Sequence, residues 1–375
     1  MKMGICGARS HGFSFLELFG LHPLVEAVSL ADINPEIRHR ARRAAGVDRV
    51  HETFDELVDS DVDAIGVFTP PWSHAEQSIR ALEAGKAVVC ACPAALTLDE
   101  LRRLVDAVER TGRIYMTCET SYYHPIAMYS RRAWREGRFG QFVYGEGEYY
   151  YRPHAYPFWM RDLYANMPPM LYPTHSTAHV VSVTGERFER VTCVGVSGLH
   201  PDAEARQRRD EWRHNLTSNM TMLGKMSGGG STRINEMRNV GCKGEQGSIL
   251  GTLASIRQHS GNITWTNGLS GEEGENLDLT ALWRDPARHP HTEPATRLPG
   301  SYAGLGLGHE GSHRFLADEF VRAVAADARP HNHVWIAARY CAPGIVACES
   351  LSRGSEWMEV PDFGSPADQR KELDC

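Results

Sequence analysis

The sequence predicts an α/β half followed by an α+β half, the second built on an open, mostly antiparallel sheet. Three observations carry this. Over the first 120 or so residues, short apolar runs alternate with helical stretches of about ten residues, the pattern of a parallel sheet covered on both faces. Past Arg187, alternating polar and apolar runs are separated by glycine clusters such as Ser227-Gly228-Gly229-Gly230, which mark hairpins. At 375 residues the chain is long for a single core. The expected division is 1–122 for a nucleotide-binding domain and 123–340 for a substrate and oligomerisation domain. Residues 341–375 would form a terminal segment returning towards the first domain.

The elements of the first half follow in order. Lys2 to Cys6 is an apolar strand, Gly7-Ala8-Arg9-Ser10-His11-Gly12 a tight turn, and the stretch through Leu18 a helix. Val25 to Leu30 is the second strand and ends in Ala31-Asp32; Glu36 to Ala45 is helical. Asp63 to Phe68 is a buried strand leading into Thr69-Pro70-Pro71-Trp72-Ser73-His74, then a helix from Ala75 to Ala84 closed by Gly85. Ala87 to Cys90, Leu98 to Arg110 and Arg113 to Cys118 complete the series as strand, helix and strand.

Ligands of such sheets sit at the carboxyl ends of the strands. The first turn is a dinucleotide fingerprint with Arg9 in place of its middle glycine. Asp32, twenty residues beyond Gly12, stands where an acid accepts hydrogen bonds from the adenosine ribose and repels a 2′-phosphate. The same residue in front of Pro35 could instead cap a helix. NAD is therefore expected over NADP, with Arg38 and Arg40 the features that would serve NADP. The expected cofactor contacts are Gly7, Arg9, Ser10, His11, Asp32, Thr69, Pro70, His74, Ala91, Cys92 and Glu119.

Composition narrows the partners. A net charge of −7 argues against nucleic acid or an anionic membrane surface. No run is long enough to cross a bilayer, and Met1-Lys2-Met3 leads straight into a strand without a signal-peptide core, so a cytoplasmic location is expected. Nine scattered cysteines, an odd number, fit reduced thiols better than a disulfide framework. Cys90-x-Cys92 has no second pair at zinc spacing and is expected to pack at a strand end rather than bind metal.

The order of motifs resembles the glucose–fructose oxidoreductase / inositol dehydrogenase / MocA (Gfo/Idh/MocA) family over nearly the whole chain. Thr69-Pro70-Pro71-Trp72-Ser73-His74 with Ala81-Leu82-Glu83-Ala84-Gly85-Lys86 is similar to the family's T-P-x-x-x-H…A-L-x-x-G-K segment. Arg138-Phe139-Gly140, Asp318-Glu319-Phe320, Ala337-Ala338-Arg339-Tyr340 and Glu356-Trp357-Met358-Glu359-Val360-Pro361 also match family habits. The resemblance implies a Rossmann domain joined to an open-faced sheet, and hydride transfer between NAD(P) and a sugar or cyclitol carbon. It also implies a homo-oligomer, a dimer or tetramer paired through the free face of the C-terminal sheet. One departure stands out. The family's Glu-Lys-Pro, whose lysine orients the reacting hydroxyl, is Ala91-Cys92-Pro93 in this chain, and a thiol is a weak donor with no fixed charge.

Aligning the family's D-x-x-x-H signature places His175 as acid/base and Leu171 where the aspartate stands. Tyr172, Thr174 and Ser176 are the polar groups able to orient the ring, with Tyr172 taken as its catalytic partner. Thr174 is the expected N-cap of a helix continuing through Val183, and a helix N-terminus lowers a nearby histidine's pKa, which favours a neutral base. His179 lies one turn further along the same face; H-x-x-x-H is also a zinc spacing, but without the metalloprotease glutamate, so no metal is expected. The stretch from Tyr144 to Asp162 is aromatic-rich, suited either to stacking on a carbohydrate or to a packed layer at a domain junction. Expected substrate contacts are Tyr123, His154, Arg161, His179 and His309, the last on the loop Gly308-His309-Glu310-Gly311.

Three functions fit. The first is an NAD-dependent oxidoreductase acting on a hydroxyl of a sugar, cyclitol or glycoside. The second keeps NAD but returns the hydride, so that transient oxidation permits elimination, epimerisation or glycoside cleavage. The third is a nucleotide-binding protein without turnover.

Overall fold

In the computed structural model the described residues are 1–373 except Ser10, 44–45, 152–166, 198–216, 269–274, 280–297 and 306–307. They form two compact units: Met1–His124 with Ala295–Ala338 and Phe363–Cys375, and Pro125–Pro294 with Arg339–Asp362.

The first unit is built on six parallel strands: β1 (Lys2–Cys6), β2 (Ala27–Ala31), β3 (Arg49–His51), β4 (Ala64–Val67), β5 (Ala87–Cys90) and β6 (Tyr115–Thr117). Their order, β3-β2-β1-β4-β5-β6, is that of a dinucleotide-binding sheet. β4 and β5 are buried along their whole length, which is why they are continuous apolar runs in the sequence. The helices between them are α1 (His11–Leu21), α2 (Pro35–Arg42), α3 (Phe54–Val58), α4 (His74–Glu83) and α5 (Leu98–Thr111). Local signals set their ends. Thr97 and Glu100 form a capping box at the start of α5, and Gly112 closes it in the left-handed conformation.

The second unit carries helix α6 (Pro125–Arg135) and a nine-stranded sheet. Its strands are β7 (Phe142–Tyr150), β8 (Phe188–Ser197), β9 (Thr217–Met226), β10 (Ser231–Met237), β11 (Gly244–Gly251), β12 (Ala254–His259), β13 (Asn262–Asn267), β14 (Glu275–Asn276) and β15 (Met358–Glu359). The order is β14-β13-β12-β11-β7-β10-β9-β8-β15, antiparallel throughout except for the parallel β7–β10 pair. The expected α/β and α+β architecture is the one observed.

One face of this sheet is covered by α7 (Thr174–Thr184). Two glycines in cross-strand register, Gly147 on β7 and Gly247 on β11, make that approach possible. A Cβ on Gly147 would lie 1.9 Å from the Ser176 carbonyl oxygen, and one on Gly247 would lie 2.6 Å from the His179 ring. The opposite face is polar at its centre. Arg233 reaches Glu146 at 3.0 Å and Glu148 at 2.8 Å, and Asn235 and Gln246 both donate to Glu148.

The chain crosses between the units more often than the sequence division at 122 and 340 anticipates. Helix α8 (Ser312–Ala326), expected in the second domain, belongs to the first unit, where the Tyr302 hydroxyl donates to the Leu18 carbonyl and His22 pairs with Asp318 at 3.1 Å. Helix α9 (Val334–Ser352) begins in the first unit and ends in the second. Of the terminal segment, β15 pairs with β8, and only residues from Phe363 onward lie with the first unit. Among the described residues no helix is long and apolar enough to cross a membrane, and no disulfide joins the described cysteines.

Candidate active site

In the first unit the carboxyl ends of β1, β2 and β4 are knitted together by backbone. The Gly7 N–H donates to the Ala31 carbonyl and the Phe68 N–H to the Cys6 carbonyl. Gly7 has φ +82, and a Cβ there would sit 2.8 Å from the Phe68 oxygen; one on Gly12 would sit 2.0 Å from the Gly7 oxygen. The first and third glycines of the fingerprint are therefore required by close packing, and the turn they create leaves a cradle at the start of α1. Arg9, at the middle position, is exposed; Ser10 lies outside the described residues.

Asp32 is held at the tip of β2. Its Oδ2 accepts the Ala8 N–H at 3.0 Å and its Oδ1 the Asn34 N–H at 2.8 Å. Asn34, not Asp32, caps α2, accepting the Glu36 N–H. Both nearby arginines are already engaged. Arg38 donates to the Asp32 and Ile33 carbonyls and pairs with Glu52, while Arg40 lies 3.6 Å from the centroid of the Phe13 ring. An acid at this tip with its arginines turned to other partners suits an unphosphorylated ribose.

Several expected cofactor residues make bonds that brace the loops at the strand ends. His74 is buried, and both ring nitrogens lie 2.7 Å from carbonyl oxygens, those of Pro93 and Thr69. Two acceptors call for two N–H donors. Burial opposes the charge, but the Cys90 sulfur and the two carbonyls outweigh it and bring the pKa to about 9. His74 thus ties the loop after β4 to the loop after β5, and its ring is not offered to a ligand. The Thr69 hydroxyl donates to Gln77, and Pro70 precedes the short turn Pro71–Ser73. Ala91 continues β5 by donating to the Val67 carbonyl. Cys92 Sγ donates to Glu119 Oε2 at 3.3 Å, and Glu119, fully buried, also accepts the Ser121 N–H at 2.9 Å. Tyr123 is likewise buried, its hydroxyl donating to Glu319 at 2.8 Å and its ring stacked on Phe315.

In the second unit the first turn of α7 presents a buried polar layer to the sheet. His175 is the second residue of the helix and 1% exposed. The cap position falls on Pro173 rather than Thr174, with no side-chain capping bond; Thr177 donates to the Pro173 carbonyl through both its N–H and its hydroxyl. The His175 Nε2 lies 2.8 Å from the Tyr172 hydroxyl, and its ring packs against Tyr149 at 4.8 Å between centroids.

Facing this turn is a row formed by Glu236 on β10, Tyr149 on β7 and Glu245 on β11, which are direct cross-strand neighbours and so share one face. Each meets a helix residue in turn. Ser176 donates a short hydrogen bond to Glu236 Oε1, Tyr149 meets His175, and His179 Nε2 lies 2.9 Å from Glu245 Oε1. His179 thus points into the sheet, where its ring also fills the space left by Gly247. Glu236 is completely buried, and its Oε2 has no hydrogen-bond partner. Burial raises its pKa to about 8, against the opposing influence of Ser176, Arg238 and His175. At neutral pH it is mainly the neutral acid.

The Tyr172–His175 pair can pass a proton between oxygen and nitrogen with little movement, which is what removal of a hydroxyl proton needs. The signal for Glu236 was a glutamate on the Ile234 side of an alternating strand; the alternation was visible, the inward face was not. His154 and Arg161 lie outside the described residues. His309 is in the first unit beside His11.

The model of an oxidoreductase family described as having an NAD-binding Rossmann fold matches residues 1–118. Across 97% of its length the chain is 25% identical to a glycosyl hydrolase family 109 protein of Saccharopolyspora erythraea, 83% of which is covered. Among solved structures, levoglucosan dehydrogenase in complex with NADH and L-sorbose has a TM-score of 0.79 at 19% identity, covering 96% of this chain and 99% of that one. UDP-N-acetylglucosamine 3-dehydrogenase GnnA from Acidithiobacillus ferrooxidans has a TM-score of 0.70 at 17% identity, with coverages of 94% and 98%. At such identities these structures share the fold.

Proposed function

Starting from a chain whose residues 1–118 belong to the Gfo/Idh/MocA oxidoreductases, we propose that the protein uses NAD to oxidise a hydroxyl of a sugar or sugar derivative, with His175 as acid/base. The observation that carries this is the buried Tyr172–His175 pair at 2.8 Å. NAD, when bound, supplies the hydride acceptor. Gly7 and Gly12 provide the backbone cradle for its diphosphate, and Asp32 the acceptor for its adenosine ribose. The Tyr172 hydroxyl takes the substrate proton as its own passes to His175 Nε2, so the tyrosine stays neutral and the proton ends on His175 as an imidazolium. Gly147 and Gly247 hold α7 at the depth where this pair meets Tyr149. Pairing of two copies through the polar face around Arg233 and Glu148 belongs to the same proposal, and sedimentation of the purified chain tests it.

A second reading is favoured by one position. Cys92 stands where a lysine would orient the reacting hydroxyl, and its thiol is turned to Glu119. Without that fixed positive charge, the oxidised sugar would serve better as an intermediate that acidifies its neighbouring C–H, with the hydride then returned. The glycosyl hydrolase name of the relative from Saccharopolyspora erythraea accords with such a course. One experiment separates the two: a panel of sugars and glycosides with the protein and excess NAD, following NADH absorbance and product together. Stoichiometric NADH supports net oxidation. Product formed with catalytic NAD and no accumulating NADH supports transient oxidation. Nucleotide binding without either product overturns both.

A further inference from the structure

Three histidines converge in the first unit: His11 and His309, expected above at the cofactor and the substrate, and His313, to which no role has been given. His11 opens α1, His313 lies in the first turn of α8, and His309 stands on the loop before α8. Each offers a ring nitrogen, and the three nitrogens lie within 4.8 Å of one another. The His11 and His313 Nε2 atoms are 2.7 Å apart, one donating to the other. The His11 and His309 rings are stacked at 5.1 Å between centroids, and the His309 and His313 rings are tilted to each other at 5.0 Å.

The backbone presents the third member at a cost. His309 (φ 46, ψ 59) and Glu310 (φ 56, ψ 25) are successive non-glycine residues in the left-handed region, which L side chains avoid. The Ser312 hydroxyl donates to the His309 carbonyl and helps to hold the strained turn. Strain of this kind persists where the surroundings over-determine it, and it concentrates at ligand clamps. His313 has its Nδ1 side against Gly308, where a Cβ would lie 2.5 Å from that nitrogen, so its Nε2 is the atom turned to His11.

We propose that His11, His309 and His313 form a site for a borderline divalent transition-metal ion of the Zn2+ class, leaving one position to solvent or an anion. Three imidazoles suit such ions and not Mg2+ or Ca2+, which require oxygen ligands. Tetrahedral coordination at 2.0–2.1 Å sets ligand nitrogens about 3.3 Å apart, so the 2.7 Å His11–His313 contact opens by roughly half an ångström as the shared proton gives way to the ion. His309, exposed and on a loop, supplies the adjustment. This site stands independently of the reading of His175.

The test is titration of the purified, tag-free full chain with Co2+, followed by visible absorption, with Zn2+ competition and equilibrium dialysis. The expected result is one equivalent, tetrahedral bands displaced by Zn2+, and affinity lower by at least about tenfold in His309→Ala, whose exposed side chain folding does not need. His313→Gln, with its melting curve checked, should behave in the same way. Absence of stoichiometric binding would overturn the proposal. So would binding that survives His309→Ala together with His313→Gln, which would put the ion elsewhere. Loss of NAD affinity in His309→Ala, with no metal effect, would assign the cluster to the nucleotide and also overturn it.

Discussion

Glu236→Gln is the substitution whose effect can be worked out most fully. The folded carboxyl releases its proton at about 8, against 4.5 for an ordinary glutamate, because it is fully buried beside Ser176 with one oxygen unpartnered. Between pH 5.5 and 8 the unfolded chain carries this residue mainly ionised and the folded chain mainly neutral. The native state then binds more protons than the unfolded state, so stability falls as pH rises through that window. Just over two pH units at 1.36 kcal/mol each give a loss of about 3 kcal/mol. Glutamine is neutral throughout and lacks this dependence. Urea unfolding of both proteins, followed by fluorescence at pH 5.5 and pH 8, should show the wild type losing about 3 kcal/mol more than the variant over the interval. Parallel pH dependences would show that Glu236 is ionised in the folded protein, and the neutral-acid reasoning would fail.

Other substitutions probe the supports of the site. Asp32→Ala removes the acceptor of two backbone N–H groups and the proposed acceptor of the ribose, so NAD affinity measured by calorimetry should fall at least tenfold; an unchanged Kd would remove Asp32 from the cofactor site. Gly147→Ala puts a methyl group 1.9 Å from the Ser176 carbonyl, and α7 must lift. A stability loss of about 1–3 kcal/mol with nearly complete loss of turnover is expected, and a neutral effect on both would mean that the helix is not seated on the sheet as described.

The first sheet was legible because its strands are short, apolar and separated by helices with ordinary caps; Gly7 and Asp32 followed from spacing alone. What was not legible depended on contacts between distant segments. Helix α8 joins the first unit through pairs such as His22–Asp318, which no local pattern announces. His74 and Glu119 have the positions of ligand residues, yet their polar atoms bond to Pro93, Thr69, Ser121 and Cys92, pairings that arise only when the loops fold together. The alternation of β10 showed that Arg233 and Glu236 face opposite ways without showing which face is covered. Tyr172 and His175 are singled out by likeness and local order, and the fold places them in contact. Their partner Tyr149, within an aromatic stretch of uncertain purpose, became specific only through its place in the row between Glu236 and Glu245.

The most direct test of NAD-dependent oxidation with His175 as acid/base is stopped-flow absorbance at the NADH band. NAD-saturated wild type and His175→Ala would each be mixed with a carbohydrate on which product formation has been verified. The wild type should form NADH, whether it accumulates or decays, and the variant should form it at least about a hundredfold more slowly while binding NAD normally. Equal rates in the two proteins, or product formed by the wild type with no NADH at any time, would contradict it.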